Sequence, residues 1–153
     1  MENIKGLKRT DYCGNLRLSD EGREVTLFGW AQRQRDLGNL IFIDLRNKTG
    51  IVQLSFNDNT DRDVFSKAQS VRSEYVVALV GTVAERESKN KELPTGDIEI
   101  VVKEFRIISK AETPPFEIVN SEKVGDETTL KYRYLNLRNQ KLTQNILMRH
   151  KIA

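Results

Sequence analysis

A chain of 153 residues with 38% apolar and 31% charged side chains carries enough apolar material for one core and is too polar for a membrane protein. Its one cysteine, Cys13, excludes an internal disulfide, and with one histidine, His150, it builds no metal site of usual spacing. The net charge of +3 is split: Lys131 to Ala153 holds six Lys and Arg and no acid, which leaves 19 basic and 22 acidic side chains before it, so bulk charge does not draw the larger part to a polyanion.

In chain order, the segment EVTLFGWAQRQRD (24–36) is β-branched and aromatic with Gly29 inside it, which predicts a long first strand that bends. DLGN is a turn, LIFIDLR (40–46) a second strand, NKTG a hairpin loop and IVQLSF (51–56) a third strand. Within 58–74, Val64, Phe65, Ala68 and Val71 recur at helical spacing behind Asp and Asn starts, so one short helix is expected there. YVVALVGTVAER (75–86) and DIEIVVKEFRIIS (97–109) read as the fourth and fifth strands, separated by a loop containing Pro94 and Gly96. After Lys110 the adjacent prolines of TPPF and the loss of any period read as a linker, and the basic tail reads as a helix with a solvated charged face. That helix has no stop signal, so the chain is expected to continue in a longer protein. The N-terminus has no apolar stretch of the kind that marks a secretion signal, and no run approaches 18 apolar residues, so a cytoplasmic protein without a membrane span is expected.

Five strands with a helix between the third and fourth is the order of an OB-fold, an all-β, five-stranded Greek-key barrel whose outer face over the second and third strands commonly binds oligonucleotides. The hairpin around NKTG predicts its own register. Arg46 pairs with Ile51, Leu45 with Val52, Ile43 with Leu54 and Ile41 with Phe56, which sets apolar pairs on the core face. The opposite face then holds Asp44 across from Gln53 and Phe42 across from Ser55. Closing DLGN the same way pairs Arg35 with Leu40 and Arg33 with Phe42, and a bulge in the first strand would move those arginines.

Single-stranded bases are held by stacking on aromatic rings and discriminated by polar groups that meet the base edge. Phe42 is thus a candidate platform, with Gln53, Arg33 and Arg35 as edge readers. It can also be an isolated surface aromatic or part of a second small core under the linker. A sequence-tolerant single-strand binder would use several rings along the groove, and a protein-binding OB domain would present a more apolar face.

The segments YCGNLRL, VTLFGWAQRQRDLGNLIFIDLR, GIVQL, VRSEYVV, PTGDIEI, TPPF and LKYRYLNLR resemble, collinearly over almost the whole chain, the N-terminal anticodon-binding region of bacterial aspartyl-tRNA synthetases. The resemblance implies an OB-fold anticodon-binding domain over 1–110, a hinge over 111–140, and at 141–153 the first helix of a class II catalytic domain whose ATP and aspartate site lies outside these residues. It implies no cofactor here, ATP and magnesium for the whole enzyme, and as partners the anticodon loop of tRNA(Asp), the enzyme's own catalytic domain and a second copy in a homodimer. Carried over by resemblance, Phe42 stacks on the central anticodon base, a uracil, and Gln53 reads its edge. Arg35 contacts anticodon bases, and Leu37 resembles the type that accepts aspartate tRNA alone. Arg86 and Asn90 resemble residues near the third base, and Glu99 a carboxylate that accepts from guanine at the first. Read without the resemblance, Arg86 and Glu99 are solvated charges and Asn90 is a turn residue. The chain departs from the family pattern at Gln34, where a positive charge is usual, and at Asn136 and Asn139, which replace an acid and a base. The first departure implies weaker phosphate contact and the second a weaker ion pair in the hinge.

Overall fold

Apolar residues alternating along five segments can bury one face of each only by closing a barrel, and that is what forms. The computed structural model describes residues 2–153. The barrel strands are β1 (Glu24–Asp36), β2 (Ile41–Asn47), β3 (Gly50–Phe56), β4 (Val76–Glu85) and β5 (Ile98–Ser109), with the helix α1 (Arg62–Ser70) between β3 and β4. They close in the order β1-β2-β3-β5-β4, with β3 and β5 parallel and the remaining neighbours antiparallel. This is the all-β OB-fold expected from the strand order. Ile41, Ile43, Leu45, Val52, Leu54 and Phe56 are fully buried, and each such side chain stabilises the fold by about 1.5–3 kcal/mol. The rings of Phe56 and Phe105 meet edge to face, 5.2 Å apart, inside the barrel core.

The β2–β3 register is the expected one at every pair, from Ile41↔Phe56 to Arg46↔Ile51. The β1–β2 register differs. Arg35 pairs with Phe42 and not Leu40, and Arg33 with Asp44 and not Phe42. The turn is tighter than a DLGN loop: Leu37 N–H donates to Leu40 O, leaving only Gly38 and Asn39 between them. Gly38 has φ +89°, and the first of two central positions is where II′ hairpin turns take glycine. The pairing therefore moves by two residues, which keeps the arginines on the face of Phe42. A second irregularity, between Ala31 and Arg33, leaves Gln32 as an extra residue in β1. Gly29 serves the bend ahead of it, because any Cβ there would collide with the carbonyl of Arg46.

Helix α1 starts at Asp61, whose carboxylate accepts from Asp63 and Val64 N–H. Its Ala68 is buried, and Val64 and Phe65 pack on the barrel core. The chain divides into two compact units, one running to Glu112 and the other from Thr113 to Ala153. The second unit has a small core of Phe116, Ile118 and Leu135 and three helices, α2 (Asp126–Lys131), α3 (Arg133–Asn136) and α4 (Gln140–Ile152). Asn139 organises it. Its Oδ1 accepts from Leu142 N–H and caps α4, while its Nδ2 donates to Ile118 O and Val119 O. The family departure at this position thus supplies a cap and a brace in place of a charge. Among the described residues, no helix is long and apolar enough to cross a membrane.

Candidate nucleic-acid interface

The outer faces of β1, β2, β3 and β5 converge on one side chain, Gln53. Strand alternation turns it away from the core, and the parallel β3–β5 pairing sets it beside Glu99. Its Oε1 accepts from Arg35 Nη2 at 2.9 Å and from Arg86 Nη2 at 2.8 Å, and its Nε2 donates to Glu99 Oε2 at 2.9 Å. Arg35 also donates to Asp44 Oδ1 at 3.3 Å. Gln53 is only 6% exposed, so these are charge-assisted bonds in a partly dehydrated setting, individually worth about 1.5–3 kcal/mol.

Phe42 stands next to this hub. It is half-buried on the outer face, outside the core cluster, and the Arg35 guanidinium lies 5.4 Å from its ring centroid. Ser55, its cross-strand partner, is small and buried, so nothing bulky on β3 competes for the ring's surroundings.

The hub is richer in donors than in acceptors. Both lone pairs of Gln53 Oε1 are taken, and one Nε2 hydrogen is committed to Glu99, which leaves one N–H. Arg35 Nε, Arg86 Nε and Ser55 Oγ are buried and make no hydrogen bond within the described protein. Buried donors without partners are uncommon, and here three of them lie on one face with the ring. The arrangement suits a flat group that stacks and carries acceptor oxygens on its edge.

Apart from Arg86, which reaches Gln53 from the end of β4, the remaining candidates surround this centre without joining it. Arg86 follows β4, its backbone N–H donating to Asp97 O. Asn90 lies in the β4–β5 loop, where it acts as a turn residue. Its Oδ1 accepts from Glu92 N–H, and its backbone N–H donates to Gly96 O. The same loop is tied to β3 by Thr95, whose hydroxyl donates to Ile51 O at 2.5 Å. Leu37 is 69% exposed at the tip of the β1–β2 hairpin. Arg33 is exposed, and among the described residues it makes no hydrogen bond or ion pair. Gln34 faces the other way. Its Nε2 donates to Ala68 O at 2.8 Å and Gln69 O at 3.1 Å, closing the C-terminal end of α1. The neutral side chain expected to weaken phosphate contact is thus engaged with the helix.

A family model described as an OB-fold nucleic acid binding domain matches residues 25–108. The chain is 51% identical over 154 residues to an aspartate–tRNA ligase of Ruminiclostridium cellulolyticum, covering 99% of this chain and 26% of that protein. An aspartate–tRNA(Asp/Asn) ligase of Caldanaerobacter subterraneus is 48% identical over 154 residues with the same coverage. The chain thus spans about a quarter of the length of these curated relatives. Among solved structures, the asparaginyl-tRNA synthetase of Pyrococcus horikoshii in complex with asparaginyl-adenylate superposes with a TM-score of 0.75 at 29% identity, covering 90% of this chain and 30% of that one. An aspartyl-tRNA synthetase from Entamoeba histolytica, at 24% identity and a TM-score of 0.74 over 89% of this chain and 33% of that one, shares the fold.

Proposed function

Because the chain belongs to the family of OB-fold nucleic acid binding domains, we propose that its barrel reads the anticodon loop of aspartate tRNA. It does so on behalf of a longer protein, an aspartate–tRNA ligase that joins aspartate to that tRNA at the expense of ATP. The names of the relatives and the quarter of their length that this chain spans support this division of labour. The observation that carries the reading is the Phe42 ring set beside the Arg35–Gln53–Arg86–Glu99 hub.

The central base, a uracil, stacks on Phe42, and the free N–H of Gln53 donates to the O4 of that base. A cytosine would turn its own amino donor toward the same N–H, leaving two donors facing each other. The arginines pin the Gln53 oxygen and so fix which end of its amide meets the base. Glu99 keeps one oxygen for the amine edge of a guanine at the first position, and Arg86 lies toward the third base with Asn90. Arg33 meets a phosphate or base from the exposed side, and Leu37 bounds the loop at the hairpin tip.

In this proposal residues 1–110 form the anticodon-binding domain, 111–140 the hinge, and 141–153 the first helix of the catalytic domain in a homodimeric cytoplasmic enzyme. ATP and magnesium belong to the remaining length. Among the described residues no three of His, Cys, Asp and Glu gather as a metal would require. The deciding experiment compares this chain's affinity for the aspartate anticodon stem-loop with that for an oligo(U) strand of equal length at one salt concentration. The stem-loop binds at least about tenfold tighter if polar groups read base edges. Equal affinities would mean a sequence-tolerant single-strand binder.

A further inference from the structure

The arginines of the interface face outward only because β1 breaks its own alternation. Before the irregularity the odd positions Val25, Leu27 and Ala31 point into the core and are buried. After it the odd positions Arg33 and Arg35 share the outer face with Asp44 and Phe42, and Gln34 has the inner side, opposite Ile43. Without the extra residue, Gln32, the two arginines would point into the barrel.

A buried assembly ties this irregularity to residues 74–75, outside the β1–β2 ladder. The backbone N–H of Glu74 donates to Ala31 O at 2.7 Å, and Ala31 N–H donates to Tyr75 O at 2.9 Å, so residues 74–75 take both backbone groups of the residue preceding the slip. The carboxylate of Glu74 receives Arg46 Nη2 at 2.8 Å on both oxygens, and Arg46 Nη1 donates at 3.2 Å to the side chain of Gln32 itself. The Arg46 guanidinium lies 5.7 Å from the ring centroid of Trp30. Glu74 makes these bonds at φ +66°, the one non-glycine residue with positive φ among the described residues. Non-glycine residues pay a conformational cost there and persist where surrounding structure over-determines them. The two charged side chains are 7% and 4% exposed, and a buried ion pair is a poor source of net stability, often matched by apolar substitutes.

We propose that Glu74, acting through Arg46 and Gln32, is a positioning residue for base recognition: it fixes the extra residue in β1 and thereby aims Arg35 at Gln53. This rests on the anticodon reading. Glu74→Gln is tested alone and together with Arg35→Ala, with affinities for the aspartate anticodon stem-loop measured far below the melting temperature of every variant. Glu74→Asp, which keeps the charge with a shorter reach, is measured in parallel. If Glu74 acts through Arg35, Glu74→Gln weakens binding about tenfold in the parent and less than about twofold beside Arg35→Ala, a coupling of the size measured between side chains in contact. Glu74→Asp then falls between the parent and Glu74→Gln. Equal losses in both backgrounds would make Glu74 merely structural and overturn the proposal, as would no loss in either. A parent that does not prefer the aspartate stem-loop over oligo(U) would instead overturn the anticodon reading, so the two failures are distinguishable.

Discussion

Replacing Phe42 with alanine removes the proposed stacking surface while sparing the core. The ring is half-buried on the outer face and outside the core cluster, and the Arg35 guanidinium lies 5.4 Å from its centroid. Losing that half-buried ring with its cation–π contact costs about 1–2 kcal/mol of stability, which for a barrel of this size lowers Tm by about 4–16 °C. Phe56, fully buried against Phe105, is the control, since a buried Phe→Ala change costs about 3–5 kcal/mol. Binding moves the other way in rank. Loss of one stacked base costs about 1–3 kcal/mol, so Phe42→Ala weakens stem-loop affinity by roughly 5- to 150-fold. Melting followed by circular dichroism and titration calorimetry at 25 °C measure the two effects separately. If Phe42→Ala melts as low as Phe56→Ala, or binds within twofold of the parent, the ring is not the stacking platform.

Gln53→Ala leaves the Arg35 and Arg86 guanidinium groups without their shared acceptor. It is expected to bring the affinities for U and C central bases within about threefold of each other, as competition binding would show, because stacking tolerates any base. Since the part before Lys131 is net acidic and the face carries three arginines, Arg33, Arg35 and Arg86, log affinity against log salt should fall with a slope of about −2 to −3. A slope near −5 would move the main contact to the six basic side chains of the tail. Burial pushes the Cys13 thiol up to about 12, so at pH 8 its labelling by Ellman's reagent should be on the order of a thousandfold slower in the native protein than in urea. With the folded value raised above the unfolded one, this group's contribution to stability is complete below about pH 8.5 and declines as pH rises toward 12, a decline that melting in alkaline buffers would detect.

Local chemistry made most of the barrel legible. The NKTG hairpin register followed from apolar alternation, because a one-residue slip would have exposed Ile41, Ile43 and Leu45 together. The β1–β2 register did not follow. Gly38 closes a two-residue turn that DLGN does not distinguish from a longer loop, and the extra residue Gln32 is fixed by partners far along the chain. Arg46 and Glu74 are separated by 28 positions, and nothing in RSEYVV announces a residue at φ +66°. The same distance effect hid the role of Gln34, which reads as a missing charge in RQRD but caps a helix 34 residues later. Alternation alone puts Phe42 and Gln53 on one face, so that juxtaposition was legible. That Gln53 would already be held by two arginines and a glutamate required β4 and β5 to arrive beside it.

The most direct test changes one base. Titration calorimetry of this chain with the aspartate anticodon stem-loop and with the same stem-loop carrying C for U at the centre measures what the Gln53 hub contributes. One donor left facing another costs about 1–3 kcal/mol, so the U loop should bind roughly 5- to 150-fold tighter. Equal affinity for the two loops would contradict the account, because a face that cannot tell uracil from cytosine does not read the central base.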